Sequence, residues 1–216
     1  MIQIQKFTFN FFSENTFVLW DDEFNESAIV DPGCSDSDEE YEFESFIIDN
    51  NLKVKYLINT HCHIDHILGC EFVKKKYNPI YFAPELDLPL IENAKMHASF
   101  VGMDFSTSIK PDEFLSEEKK LSLGKSELIF LFTPGHTPGE FCIYIPDIKS
   151  CITGDVLFND SIGRTDLWGG NYDTIIKSIN EKLLTLPDET KIFPGHGESS
   201  TIGSEKKYNP FLNHTI

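Results

Sequence analysis

Apolar residues at Ile2, Ile4, Phe7 and Phe9 alternate with Gln3, Gln5, Lys6 and Thr8, a period near two that predicts a half-buried strand over about 2–11. Strand-like runs near 16–20 and 27–30 follow. They lead into an acidic segment from about Asp38 to Asn50 that reads as a helix, with Ser35 or Ser37 available as its cap. The β-branched and aromatic run 54–59 reads as a buried strand, residues 66–77 as a helix, and Ile80-Tyr81-Phe82 as a short strand. Pro84, Pro89 and Pro111 interrupt residues 84–116, where one or two short helices are expected. Strands return at about 121–132, 140–145 and 149–153. A glycine-containing stretch at 154–171, a helix from Tyr172 to Leu184 and a strand at 191–193 complete the pattern.

No linker separates these two similar halves, so a single domain over residues 1–216 is expected. The element order predicts an α/β (α+β) chain: two mixed sheets face to face, helices on both outer sides, and loops gathered along one edge of a four-layer αββα sandwich. With 40% hydrophobic and 13% aromatic residues, such a chain has material for a sizeable core.

The net charge of -17 repels phosphate backbones, which argues against a nucleic-acid partner. No stretch approaches the length of a membrane span, and the first residues lack the basic-then-apolar order of a secretory leader. Cys34, Cys62, Cys70, Cys142 and Cys151 form no C-x-x-C pair and no even framework, which predicts reduced thiols in a cytoplasmic protein. Arg164 is the sole arginine among 18 basic residues. Its bidentate chemistry is therefore available at one place.

The chemistry concentrates in His61-Cys62-His63-Ile64-Asp65-His66, where three imidazoles and a carboxylate follow a buried strand and precede a helix. Cys62 lies between two of these groups. In extended chain its side chain points away from theirs, so it reads as packing. Further ligand types end other strands: His136 in Thr133-Pro134-Gly135-His136-Thr137-Pro138-Gly139, Asp155 after Thr153-Gly154, and His196 after Pro194-Gly195. Seven groups exceed the needs of one tetrahedral ion but suit two ions sharing a carboxylate. Asp31-Pro32-Gly33 reads as a turn ending a strand, a supporting role for Asp31 being the lesser alternative. Lys74-Lys75-Lys76 reads as the solvated end of a helix, and His97 as a wall or surface residue.

In their order, H-x-H-x-D-H, T-P-G-H-T-P-G, T-G-D and P-G-H-G resemble the metallo-β-lactamase superfamily over nearly the whole chain. Ile162-Gly163-Arg164-Thr165-Asp166 and the tail from Pro194 to Gly203, ending in Asn209-Pro210-Phe211-Leu212, resemble small glyoxalase II-like hydrolases, of the hydroxyacylglutathione hydrolase type. The resemblance implies one metal on His61, His63 and His136, a second on Asp65, His66 and His196, and Asp155 bridging them. It implies the αββα metallo-β-lactamase fold as well. Two divalent ions, zinc by default with iron or manganese as alternatives, ionise a shared water that attacks an acyl thioester. Asp65 is the residue to orient that hydroxide and handle its proton. His66 after Asp65 argues against antibiotic hydrolysis, since the zinc β-lactamases commonly carry another residue there. His214 matches no motif of the family.

The sequence stops about twenty residues after His196, short of the C-terminal domain that holds glutathione in two-domain glyoxalase II. The expected partner is thus a small acyl thioester with the thiol left open. A mononuclear iron site on His61, His136 and Asp155, as in persulfide dioxygenases, is the alternative, and lactone or other ester hydrolysis is a second. A non-catalytic scaffold fits poorly, because structural zinc sites are usually saturated by protein ligands. Arg164 with Asp166 reads as a buried ion pair bracing the loop beside Asp155, ahead of a role in binding a substrate carboxylate.

Overall fold

The alternation at the start of the chain becomes β1 (Ile2–Phe9), antiparallel to β2 (Glu14–Asp21) in unbroken register from Ile2 opposite Asp21 to Phe9 opposite Glu14. It ends two residues earlier than the pattern predicts, because Asn10 and Ser13 adopt left-handed φ of 54° and 55° to turn the chain. A computed structural model of the protein describes residues 1–103, 105, 107 and 109–213. The chain divides into two compact units, Met1–Leu115 with Ser122–Ser126, and Ser116–Leu121 with Glu127–Ile216.

In the first unit β3 (Glu26–Val30) pairs antiparallel with β2, and α1 (Ser37–Asp49) then returns the chain to β4 (Lys53–Ile58), parallel to β3. β5 (Ile80–Ala83) and β6 (Glu113–Phe114) continue in parallel, giving a six-stranded sheet in the order β1-β2-β3-β4-β5-β6. Asp36, not Ser35 or Ser37, caps α1. Its carboxylate accepts from Asp38 N at 2.9 Å and Glu39 N at 3.0 Å, and its charge adds attraction to the helix dipole that a serine lacks. Phe7 stacks on Phe9 at 5.3 Å and meets Phe43 and Phe46 of α1 edge-on. These rings join Ile29, Leu57 and Val73 in one core, each contributing about 1.5–3 kcal/mol by leaving water.

The helix expected over 66–77 is two helices, α2 (Ile64–Ile67) and α3 (Cys70–Tyr77). Gly69 makes the break. Its N–H donates to Pro32 O at 2.8 Å, and any Cβ there would collide with Cys34 Sγ, so the chain can pass only without a side chain. The three lysines Lys74, Lys75 and Lys76 fill the last turn of α3, as the pattern suggests. A 3₁₀ turn at Glu85–Asp87 precedes the two short helices α4 (Leu88–Glu92) and α5 (Ala94–Phe100).

The run expected as one strand at 121–132 is a hairpin of β7 (Leu121–Leu123) and β8 (Ser126–Phe132), because Gly124 turns the chain at φ 56°. β9 (Phe141–Ile145) and β10 (Ser150–Gly154) follow. A small hairpin of β11 (Leu157–Phe158) and β12 (Ser161–Ile162) comes next, then α6 (Tyr172–Ser178). The expected helix to Leu184 changes to a π-turn over Ile179–Leu183. β13 (Lys191–Pro194), β14 (Ser200–Thr201) and α7 (Ile202–Tyr208) complete the chain, and the second six-stranded sheet runs β14-β13-β10-β9-β8-β7. Ile175, Ile179, Leu183 and Ile202 pack with Cys142, Cys151 and Ile192 as the core of the second unit. All five cysteines are unbridged and buried. Among the described residues no helix is long and apolar enough to cross a membrane.

Candidate metal centre

Parallel pairing places the chemistry of the first unit. Val30 of β3 lies opposite Ile58 of β4, and Asp31 N donates to Ile58 O at 2.9 Å, so Asp31 and the sequence Asn59-Thr60-His61 leave the sheet side by side at its carboxyl edge. Asp31 is buried and left-handed, with φ 49°. Its Oδ1 accepts from Thr60 N at 2.7 Å and Asn59 Nδ2 at 3.2 Å. Its Oδ2 accepts from Thr60 Oγ1 at 2.5 Å and faces His66 Nδ1 at 3.2 Å. Three donors hold this carboxylate in place beside the His66 ring, which makes it a support for the imidazoles.

These partners assign the tautomers. Thr60 spends its single hydroxyl proton on Asp31, so at 3.1 Å it accepts from His61 Nδ1, and the lone pair of His61 is on Nε2. His66 lies with Nδ1 3.2 Å from Asp31 Oδ2 and Nε2 3.7 Å from Asp65 Oδ2, between two carboxylates. The rings of His61 and His66 are 4.1 Å apart, and those of His61 and His63 are 5.0 Å apart. His63 precedes α2 with φ -63° and ψ 154°, and Asp65 lies in the first turn of that helix. Cys62 turns the other way into the core, as its alternation requires, while its N–H donates to buried Asp87 at 3.2 Å.

Glu14 also stands behind the site, with Oε1 3.8 Å from His66 Nδ1 and Oε2 accepting from Thr16 Oγ1 at 2.9 Å. Burial pushes its carboxyl well above the usual range, against the pull of His66.

In the second unit β10 and β13 pair in parallel, with Gly154 opposite Pro194, so Asp155 and His196 emerge from neighbouring strand ends. His136 Nε2 and His196 Nε2 are each 3.6 Å from the same oxygen, Asp155 Oδ2. His136 donates Nδ1–H to the Arg164 carbonyl at 2.8 Å, which leaves Nε2 as its lone-pair atom. Glu140, buried, accepts Asp155 N–H at 2.7 Å. Gly163 passes so close that a Cβ there would collide with Asp155 O. Arg164 does form a fork with Asp166, at 2.7 and 2.8 Å, but the pair is exposed rather than buried, at 61% and 68%. The carboxyl of Asp166 is held at about 2 by that guanidinium.

The donor sets suit a metal. Two ligands at about 2.1 Å from a tetrahedral ion are roughly 3.4 Å apart, close to the Nε2–Oδ2 spacings around Asp155. Imidazole nitrogen with carboxylate oxygen serves zinc, iron or manganese. Sequence reasoning passed over Glu14, Asn59, Thr60 and Glu140, and gave Asp31 too little weight. The available signal was polar residues flanking all-apolar strands, directly before or opposite the ligand loops. Among the described residues His97 is half-buried in α5 and joins no ligand cluster, while His214 lies outside them.

Residues 9–196 match the family model described as the metallo-beta-lactamase superfamily. The chain belongs to that superfamily. Hydroxyacylglutathione hydrolase GloC of Haemophilus influenzae is 39% identical over 204 residues, 94% of each chain. Two solved structures are 30% identical. One, described as BLEG-1 B3 metallo-beta-lactamase, has a TM-score of 0.85 over 98% of this chain and 100% of its own. The other, TTHA1623 in a di-iron-bound form, has a TM-score of 0.84 over 96% and 100%. The protein therefore has the metallo-β-lactamase fold and the metal-binding His and Asp clusters of a superfamily of metallo-hydrolases.

Proposed function

We propose that this superfamily member is a two-metal hydrolase of small acyl thioesters, with His61, His63 and His136 holding one ion, Asp65, His66 and His196 the other, and Asp155 shared between them. The observation that carries the reading is the pair of 3.6 Å approaches to Asp155 Oδ2 by His136 and His196: one oxygen serving two imidazoles suits a shared carboxylate better than a mononuclear site. The likeness to GloC supports the thioester and hydroxyacyl chemistry. Two divalent ions would supply Lewis-acid polarisation of the acyl carbonyl, a water of lowered pKa and a resting place for a thiolate.

The chain's own residues supply the order around them. Asp65 orients the attacking water and takes its proton. Thr60 and the Arg164 carbonyl hold His61 and His136 in single tautomers, and the Asp31 carboxylate faces the Nδ1 side of His66. Glu140 fixes the backbone of Asp155. No serine or cysteine nucleophile is called for, and Cys62 faces away from the ligands into the core.

Metal content per chain, measured beside turnover of S-D-lactoylglutathione, glutathione persulfide and a chromogenic cephalosporin, tests the reading. Two metals with thiol release from the thioester are expected. One iron with oxygen consumed on the persulfide would replace it with a dioxygenase, and faster cephalosporin opening would replace it with a lactamase.

A further inference from the structure

We infer that Asn59 and Tyr81 are positioning residues for the metal ligands of the first unit, acting on His66 and His61 through Asp31; this rests on the reading that those imidazoles hold a metal. Tyr81 lies in β5 opposite Leu57 of β4, and Asn59 follows β4, with its N–H donating to Phe82 O at 3.0 Å. Both side chains are buried, so every polar atom they carry must find its partner inside the protein.

Asn59 Oδ1 accepts from Tyr81 Oη at 2.8 Å and from Cys70 Sγ at 3.2 Å. Two donors on that oxygen decide which way the amide faces. Its Nδ2 is thereby turned to the ligand loop, where it donates to His66 O at 2.7 Å and to Asp31 Oδ1 at 3.2 Å. All four hydrogen-bonding positions of the amide are filled. Asn59 thus holds the backbone of His66 directly and its ring indirectly, because the same Asp31 carboxylate faces His66 Nδ1 and, through Thr60, His61 Nδ1.

Without the Tyr81 hydroxyl, the amide keeps only the weak thiol donor on Oδ1. A flipped amide would then point its oxygen at Asp31, acceptor against acceptor, and the carboxylate would lose one of its three donors. Tyr81 is otherwise an ordinary core ring, and the competing account is that it only fills space.

Tyr81→Phe keeps the ring and removes the hydroxyl alone. Cobalt affinity by chelator competition, the cobalt absorption spectrum and the melting temperature of the metal-free protein are to be measured for wild type, Tyr81→Phe, Asp31→Asn and the double variant. Outer-shell changes typically cost about 10- to 100-fold in metal affinity, and Tyr81→Phe is expected near the lower end, with an altered spectrum. The double variant should bind about as weakly as Asp31→Asn alone. Should Asp31→Asn not fold, the affinity and spectrum of Tyr81→Phe decide. A Tyr81→Phe protein that melts lower yet binds cobalt with wild-type affinity and spectrum overturns the inference alone. A wild-type chain that binds no cobalt overturns the proposed function and this inference with it.

Discussion

His136 donates its Nδ1–H to the main-chain carbonyl of Arg164 at 2.8 Å, so the only arginine of the chain orients this imidazole through its backbone. The guanidinium lies outside, forked onto Asp166. Arg164→Ala should therefore keep the metal content of the wild type and shift the melting temperature little, since exposed ion pairs contribute little. Elemental analysis and a thermal melt check this. Loss of a metal from the variant would mean that the side chain holds the loop after all.

Thr60→Val keeps the side-chain shape and deletes the hydroxyl that links His61 Nδ1 to Asp31. Metal affinity should fall by about tenfold or more, the range for lost outer-shell partners. The buried Nδ1–H left behind should also cost about 1–3 kcal/mol. Chelator competition and denaturant titration measure the two effects separately.

Gly163→Ala tests the close passage beside Asp155. A methyl group would strike Asp155 O, a backbone atom that cannot swing aside, so the strand end must move. A loss of roughly 2–4 kcal/mol in unfolding free energy is expected, in the range of severe core substitutions. An unchanged urea midpoint would show that the loop relaxes freely.

On the acid side, Lys74 together with the Tyr81 N–H keeps Asp112 below the usual carboxylate range. A depressed carboxyl contributes stability that is present above its unfolded value and lost as pH falls through its folded one. The wild type should thus lose stability below about pH 4, and Asp112→Asn should lose less over that interval. Chemical denaturation at pH 3 and pH 7 for both proteins gives the comparison, with equal slopes counting against the pairing.

Chelation tests the metal that the proposed function places on these His and Asp side chains. Stripping the metal should lower the melting temperature, and zinc should restore it in a concentration-dependent way. A melt indifferent to both would speak against a resident ion.

The seven candidate ligands stand out in the sequence because they follow strands whose apolar runs are unambiguous, and the order of strands and helices followed from the same periodicity. The supporting residues were not legible, for physical reasons. Asp31 meets His66 only through the parallel register of β3 and β4, which no local spacing encodes. Glu14 and Glu140 look like ordinary surface acids until burial is known. The break at Gly69 and the cap at Asp36 escaped detection because both depend on a crowded neighbour or a local choice among adjacent polar residues.

The φ of 49° at Asp31 has a consequence for redesign of the protein. A non-glycine residue in this conformation carries strain, and a search for thermostability alone would favour glycine or asparagine there. Such a replacement would relax the main chain while discarding the charge that steadies two imidazoles. Stabilising substitutions in this chain are better sought elsewhere, because here durability and function pull on the same residue in opposite directions.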